Sequence, residues 1–205
     1  IFVAHSVHNF VRYFLMAWMP TYYDEVLQVS PDSSGVQQML PEFVGLLTSI
    51  GGAKWGKALQ DSGTLSARDC RRVFSSLAFC GAATGLAAIS QCSTPLVVTA
   101  WMCLIFGLHT LQGLGFGANY LEISKHHSGL VTGIGNTVAT GASFVAPVFA
   151  SYVLTLEGAS GSSQAWRHLF VAFAASNLLG LALYVPFCST TPVDEAPEEQ
   201  VKKAQ

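Results

Sequence analysis

Residues 73–119 read VFSSLAFCGAATGLAAISQCSTPLVVTAWMCLIFGLHTLQGLGFGAN, and not one of them is Asp, Glu, Lys or Arg. The stretch holds two apolar runs, residues 73–90 and 96–119, separated by the short turn sequence of residues 91–95. A helix that crosses the hydrocarbon core of a bilayer needs roughly 20 mostly apolar residues. The stretch therefore predicts two membrane helices joined by a tight turn.

Four further apolar runs of this kind lie on either side of the first two. They are residues 1–23, 40–57, 129–156 and 166–188. Only 11% of the chain is charged, against about 25% in soluble domains, and a net charge of -2 gives no reason to expect a nucleic-acid partner. We predict an all-α membrane protein, with a six-helix transmembrane bundle over residues 1–190 and a disordered cytoplasmic tail over residues 191–205.

The basic residues are sorted between the links that join these runs. In an up-down topology eight of the ten fall on one side of the membrane, and only Arg167 falls on the other, while Arg12 lies inside the first run. Lys and Arg concentrate in cytoplasmic links, so the C-terminus is expected to be cytoplasmic. The eight are Lys54, Lys57, Arg68, Arg71, Arg72, Lys125, Lys202 and Lys203.

Small residues recur four positions apart, as close packing of membrane helices requires. The pairs are Gly52/Gly56, Gly81/Gly85, Gly113/Gly117 and Gly129/Gly133.

The five cysteines have neither metal-site nor disulfide spacing, and no serine or acid pair has a catalytic pattern. We therefore predict no enzyme activity, no cofactor and no metal. The chain opens at Ile1 inside an apolar run, so we expect an upstream part to be missing.

Polar residues in the first run fall on one helical face. His5, His8, Asn9 and Arg12 follow the i, i+3, i+4, i+7 spacing, and Tyr13 extends the stripe. No carboxylate lies in this run, and an unpaired membrane arginine can hold an anion by two parallel hydrogen bonds. His8 would couple binding to protons. The alternative is that Arg12 pairs with an acid on the missing part and that backbone carbonyls satisfy the histidines.

Other polar residues leave more than one interpretation open. His109 stands alone on an apolar run, which favours a packing role, and a zinc site with His5 and His8 lacks any local ligand spacing. Glu122 either forms a local pair with the residues that follow it or acts with Asn119 as a gate latch. Asn136 would contact either a substrate or a neighbouring helix.

Motifs along most of the chain resemble the anion:cation symporter branch of the major facilitator superfamily. They occur in the family's order: His8-Asn9-Phe10, Pro20-Thr21-Tyr22-Tyr23-Asp24-Glu25-Val26, Leu40-Pro41, Ile50-Gly51-Gly52, Arg71-Arg72-Val73-Phe74, Gly115-Phe116-Gly117-Ala118-Asn119-Tyr120-Leu121-Glu122-Ile123, Gly133-Ile134-Gly135-Asn136-Thr137 and Trp166-Arg167-His168-Leu169-Phe170. The branch includes vesicular glutamate transporters, sialin, sodium/phosphate cotransporters and plant plastid phosphate transporters. No single motif is decisive, but together their order and spacing are specific.

The resemblance implies spans seven to twelve of a twelve-span carrier, with a six-helix N-terminal half as partner and alternating access around a central site. It implies a small anion coupled to sodium or protons, in a plasma, vesicular, lysosomal or plastid membrane. Glutamate-carrying members have an arginine where His8 aligns; the shift to Arg12 favours phosphate over glutamate or sialic acid. The expected substrate site is Arg12, His8, Asn9, Tyr13 and Asn136, and the expected gating or ion-coupling residues are His5, Asn119 and Glu122.

Three other functions compete with anion symport. A membrane remnant or sensor would not transport. A carrier of neutral solutes would have no electrostatic need for Arg12. A membrane enzyme built on the histidines would show metal-dependent turnover.

Overall fold

The computed structural model describes residues 1–156 and 162–194, and within them the side chains of residues 31–33 are left undescribed. The described chain consists of helices and the links between them. The α-helices are α1 (Phe2–Thr21), α2 (Pro31–Asp61), α3 (Ala67–Ile89), α4 (Pro95–Thr110), α5 (Phe116–Glu122), α6 (Ser128–Leu156) and α7 (Ser163–Tyr184).

Each of the six predicted apolar runs forms helix, but the fourth is interrupted. A 3₁₀ turn at Leu111–Gly113 separates α4 from α5. Gly115 then has φ −80° and ψ −114°, which is not a helical conformation. A Cβ at this position would overlap the Ser75 hydroxyl on α3. The close approach of α3 therefore requires glycine at the point where the helix breaks.

Helix α2 begins nine residues before the second apolar run, in a segment whose serines, proline and glycine are typical of a link. Ser30 is the N-cap and Pro31 occupies the first turn of the helix, where a proline loses no hydrogen bond. The helix has 31 residues and is about 46 Å long at 1.5 Å per residue. It therefore exceeds the roughly 30 Å hydrocarbon core of a bilayer.

The prediction of six membrane spans is confirmed in part, since four helical segments of the described chain qualify, one of which joins α4 and α5. Ala67–Ile89, Pro95–Glu122, Ser128–Leu156 and Ser163–Tyr184 are long and apolar enough to cross a membrane. Helices α1 and α2 are also long, at 20 and 31 residues, but they are less apolar. Both carry polar side chains that face a cavity described below.

An aromatic core holds α1 against α6 and α7. Phe14 of α1 stacks on Phe173 of α7, with ring centroids 3.8 Å apart and planes 8° apart, and Trp166 is fully buried. Large apolar side chains on the outer faces stay exposed, including Met39 of α2 and Phe144 of α6, each 73%. This arrangement, with a packed interior and an apolar exterior, suits a bundle surrounded by lipid.

Glycines bring α3 close to α4, as one of the small-residue pairs predicted. A Cβ on Gly81 or Gly85 would overlap Leu108 or Ile105 of α4. Gly129 and Gly133 show no such contact, since a Cβ at either would meet no atom within 4 Å. Helix packing in the described chain therefore uses the Gly81/Gly85 pair and not the later one.

The first residues of the predicted disordered tail are ordered against the link between α5 and α6. Asp194 accepts hydrogen bonds from the Ser124 hydroxyl (2.7 Å) and from the N–H groups of Lys125 (3.0 Å) and His126 (2.8 Å). These three donors lower the pKa of the Asp194 carboxyl well below its usual range. The remainder of the predicted tail, residues 195–205, lies outside the described residues.

Candidate functional site

A cavity of about 360 Å³ opens where α1, α2, α4 and α5 meet. Four of the residues predicted from the first run line it, together with polar groups from the other helices. The lining residues are His5, His8, Asn9, Arg12, Ser49, His109, Thr110, Gln112, Gly113, Phe116 and Gly117. The stripe predicted on α1 thus faces an open cavity.

Two of the five predicted substrate residues lie elsewhere. Tyr13 is 44% exposed and does not line the cavity, although it follows Arg12 on the same helix. Asn136 is exposed on α6, where its backbone carbonyl accepts a hydrogen bond from the Thr140 hydroxyl. The structure therefore brings together Arg12, His8 and Asn9, but not Tyr13 or Asn136.

Arg12 is not unpaired, and that prediction is wrong. Its Nη2 donates to both carboxylate oxygens of Glu42 on α2, at 3.0 and 2.8 Å, and its guanidinium lies 4.8 Å from the ring centroid of Phe106. Among the described residues no hydrogen bond from Arg12 Nε or Nη1 is found, so the guanidinium keeps donors for a ligand beside its bond to Glu42. The acid that pairs with Arg12 is thus supplied by this chain.

Glu42 also borders a second, smaller cavity of about 170 Å³. Tyr23, Gln37 and Gln38 line this cavity with it, between apolar walls that include Met102 and Phe106. Arg12 lines the larger cavity and Glu42 the smaller one. The ion pair therefore stands at the boundary between two polar spaces.

His109 is not isolated, because it stacks on His8. The two ring centroids are 4.0 Å apart and the planes are 14° apart. His109 is only 2% exposed, and in the described chain its Nε2 and the Nδ1 of His8 have no hydrogen-bond partner. Two adjacent imidazolium rings would repel, so the stack disfavours a positive charge on both histidines at once.

The predicted gating residues form two separate groups. His5 Nδ1 lies 3.2 Å from the Tyr120 hydroxyl, at the edge of the cavity. Asn119 is buried, and its amide donates to the Ser189 carbonyl (2.7 Å), while its oxygen accepts from the Tyr184 hydroxyl (3.2 Å). Asn119 therefore ties α5 to the segment that follows α7.

Glu122, for which the sequence left a local pair and a gate latch open, takes part in a long-range ion pair with Arg71. It accepts hydrogen bonds from Arg71 Nε at 3.0 and 3.1 Å and from Arg71 Nη2 at 2.8 Å. Arg71 also donates to the Leu114 carbonyl, and its side chain is 7% exposed. This pair joins the start of α3 to the end of α5. Glu122 lies at that end of α5, beside Asn119, with which it was predicted to form a gate latch.

Sequence reasoning missed Glu42, the partner of Arg12, and three polar residues that line the larger cavity, Ser49, Thr110 and Gln112. Glu42 and Ser49 lie within the second apolar run, where Glu42 is the one acid inside any of the six predicted runs. Gln112 is 1% exposed; its oxygen accepts from the Ser75 hydroxyl (3.0 Å), while its Nε2 has no partner in the described chain. A polar residue within an apolar run is the signal that could have found each of them.

The described residues contain no group of three or more His, Cys, Asp or Glu side chains that could hold a metal ion. The five cysteines, all within the described ranges, are free thiols. The stacked geometry of His8 and His109 also points their rings face to face, whereas imidazole binds a metal through nitrogen lone pairs in the ring plane.

Comparison with known proteins found several anion transporters. The chain is 30% identical to a probable chloroplastic anion transporter 4 of Arabidopsis thaliana over 158 residues, which is 77% of this chain and 30% of the relative. It is 26% identical to the chloroplastic ascorbate transporter of Arabidopsis thaliana, over 92% of this chain and 34% of that protein. Human sialin is 31% identical, over 91% of this chain and 37% of sialin. No family model matches the chain.

The chain therefore spans about a third of the length of the curated relatives that it matches. These relatives are transporters and not enzymes, which confirms the prediction that this is no enzyme. The apolar helices and the transporter relatives together indicate an integral membrane protein. By its sequence similarity and its helical architecture, the chain is a homologue of the anion transporters that include the plastid anion transporters and sialin.

Proposed function

We propose that this chain acts as the C-terminal six-helix half of a major facilitator carrier that moves small anions by alternating access. One observation carries the proposal: a polar cavity with a partly free arginine opens on the bundle of a chain related to anion transporters. An N-terminal half would close the cavity from the other side. The sorting of Lys and Arg supports a cytoplasmic C-terminus.

The charge of the cavity favours a monovalent organic anion over phosphate. At neutral pH phosphate carries between one and two negative charges. Arg12 already shares its single positive charge with Glu42, so it balances a monovalent anion better than a divalent one. With neutral histidines the described lining of both cavities has no net charge. The ascorbate transporter among the relatives agrees with an organic monoanion. The substrate class we propose is therefore a small organic acid, with phosphate as the main competitor.

The test is uptake of radiolabelled ascorbate and phosphate by the native protein in proteoliposomes. Arg12→Ala should lower uptake by roughly tenfold to a hundredfold, because a charge-assisted hydrogen bond contributes about 1.5–3 kcal/mol and each 1.4 kcal/mol is tenfold. Arg167→Ala is the matched control, since Arg167 is exposed and donates to Gln91 away from the cavity. Equal uptake by both variants would end the claim that Arg12 binds the anion.

A neutral-solute carrier gives the opposite result in the same vesicles. Organic anions would then fail to compete with the transported solute, and Arg12→Ala would leave its uptake unchanged. The Arg12–Glu42 pair is compatible with such a carrier because it leaves no net charge. The relatives, which are named as anion transporters, favour the anion.

A further inference from the structure

The two cavities meet at a single ion pair whose members face different spaces. Arg12 lines the larger cavity and Glu42 lines the smaller one, and 2.8 Å separates Arg12 Nη2 from Glu42 Oε2. Both side chains are accessible, 26% for Arg12 and 47% for Glu42. A ligand could therefore reach either member from its own cavity.

The smaller cavity is bordered by one carboxylate and two side-chain amides. Gln37 Oε1 is buried without a hydrogen-bond partner in the described chain. Gln38 donates its Nε2 to the Ser34 hydroxyl at 3.1 Å, and no donor to its Oε1 is found among the described residues. Among the described residues, Glu42 accepts its hydrogen bonds from Arg12. Because Gln37 Oε1 is buried beside the apolar walls of this cavity, it is unfavourable unless a donor or a cation meets it.

Their spacing on α2 lets these oxygens act together. Gln38 and Glu42 are four residues apart and so share one face of the helix, while Gln37 borders the same cavity one position earlier. Carboxylate and amide oxygens are the ligands that hard cations prefer. The cavity thus offers a carboxylate and two amide oxygens to a small cation.

We propose that Glu42, with the amide oxygens of Gln37 and Gln38, binds the sodium ion that is carried together with the anion. This inference rests on the proposed anion transport. Sodium on Glu42 would replace Arg12 as its counter-charge, and the guanidinium would become fully available to the anion in the larger cavity. Sodium on Glu42 alone, or the anion on Arg12 alone, weakens the Arg12–Glu42 pair and leaves one charge without a counter-charge. When both ions are bound, each residue has a counter-ion and the site is neutral. The pair therefore couples one cation to one monovalent anion.

The experiment uses the native protein with two readouts. The first is ascorbate uptake in proteoliposomes containing sodium or choline, and the second is binding of ²²Na⁺ to purified protein without any anion. Wild type should show uptake stimulated at least tenfold by sodium, and saturable ²²Na⁺ binding. Glu42→Gln should lose both the stimulation and the binding, and its KM for ascorbate in choline should fall because Arg12 has no acid to compete for it.

Asp24→Asn is the matched control, an exposed acid in the segment after α1 that lines neither cavity. It should keep both sodium effects. Gln38→Leu is a second variant in case Glu42→Gln fails to fold, and it should lower ²²Na⁺ affinity at least threefold.

The outcomes separate this inference from the proposed function. Sodium-stimulated ascorbate uptake that persists unchanged in Glu42→Gln would overturn the sodium site while transport stands. Uptake by wild type that responds to a pH gradient but not to sodium would overturn it equally. Wild-type ²²Na⁺ binding that depends on Glu42, with no uptake of any anion, would support the site and refute the proposed transport.

Discussion

Removing Arg71 is expected to destabilise the bundle strongly, because its ion pair with Glu122 is largely buried. The Arg71 side chain is 7% exposed and that of Glu122 is 23% exposed. Breaking a buried pair by removing one member costs about 3–5 kcal/mol, and the accessibility of Glu122 argues for the lower end. The lost hydrogen bond to the Leu114 carbonyl adds about 1 kcal/mol. We expect Arg71→Leu to lose about 4 kcal/mol.

A loss of this size should be visible as a shift of the melting temperature. For a chain of this length 1 kcal/mol corresponds to about 2–4 °C, so the expected fall is about 8–16 °C. The assay is thermal unfolding in detergent, followed by a dye that reacts with newly exposed thiols. Cys70 and Cys188 are buried, 0% and 3% exposed, and lie near the pair, so they report opening in this region.

Two further variants distinguish the ion pair from simple loss of packing. Arg71→Leu/Glu122→Leu should recover more than half of the loss, because the uncompensated carboxylate is then gone. Arg68→Leu, at an exposed position one turn earlier, loses a single hydrogen bond to the Cys188 carbonyl and should cost about 1 kcal/mol or less. A double variant that is as unstable as the sum of its singles would refute the reasoning.

Two smaller predictions concern packing and the C-terminal segment. Gly85→Ala should lower the melting temperature measurably, because the new Cβ overlaps Ile105 and overpacking costs about 1–3 kcal/mol. Gly133→Ala is the control and should be neutral or stabilising, because a Cβ there meets no atom within 4 Å. Equal effects of the two variants would contradict the packing described for α3 and α4. Because the lowered pKa keeps the Asp194 carboxyl charged, its bonds to the next link should persist from pH 7 to pH 5 and weaken only as the pH falls through that lowered value. Hydrogen exchange of the two bonded amides, corrected for intrinsic rate, measures this, and Asp194→Ala should remove their protection at every pH; unprotected amides in wild type at pH 7 would count against it.

Hydrophobicity and helical periodicity predicted much of this fold because both act locally. The runs at residues 73–90 and 129–156 became α3 and α6 within a few residues of the expected bounds. The start of α2 was missed because serine, proline and glycine occur in links as well as in a first helical turn. The break after α4 was missed because it depends on how closely Ser75 of another helix approaches Gly115, which no local pattern records.

The candidate site was predicted along α1 but not across helices. Periodicity correctly placed His5, His8, Asn9 and Arg12 on one face, since these positions are fixed by one helix. Contacts between helices depend on their relative register, and periodicity does not determine it. The stack of His8 on His109 joins residues on α1 and α4, and so it could not be predicted.

The pairing of Arg12 shows which sequence rule would have served better. The apolar run that carries the arginine contains no acid, so periodicity within that run offers Arg12 no counter-charge. An unpaired charge in a bilayer is costly wherever its partner lies along the chain, so all apolar runs belong to the same search. Glu42 is the single acid within the six predicted runs, and its carboxylate lies 2.8 Å from Arg12. An arginine in one apolar run and the single acid in another should therefore be taken as a predicted pair, and the anion site as one that must compete with it.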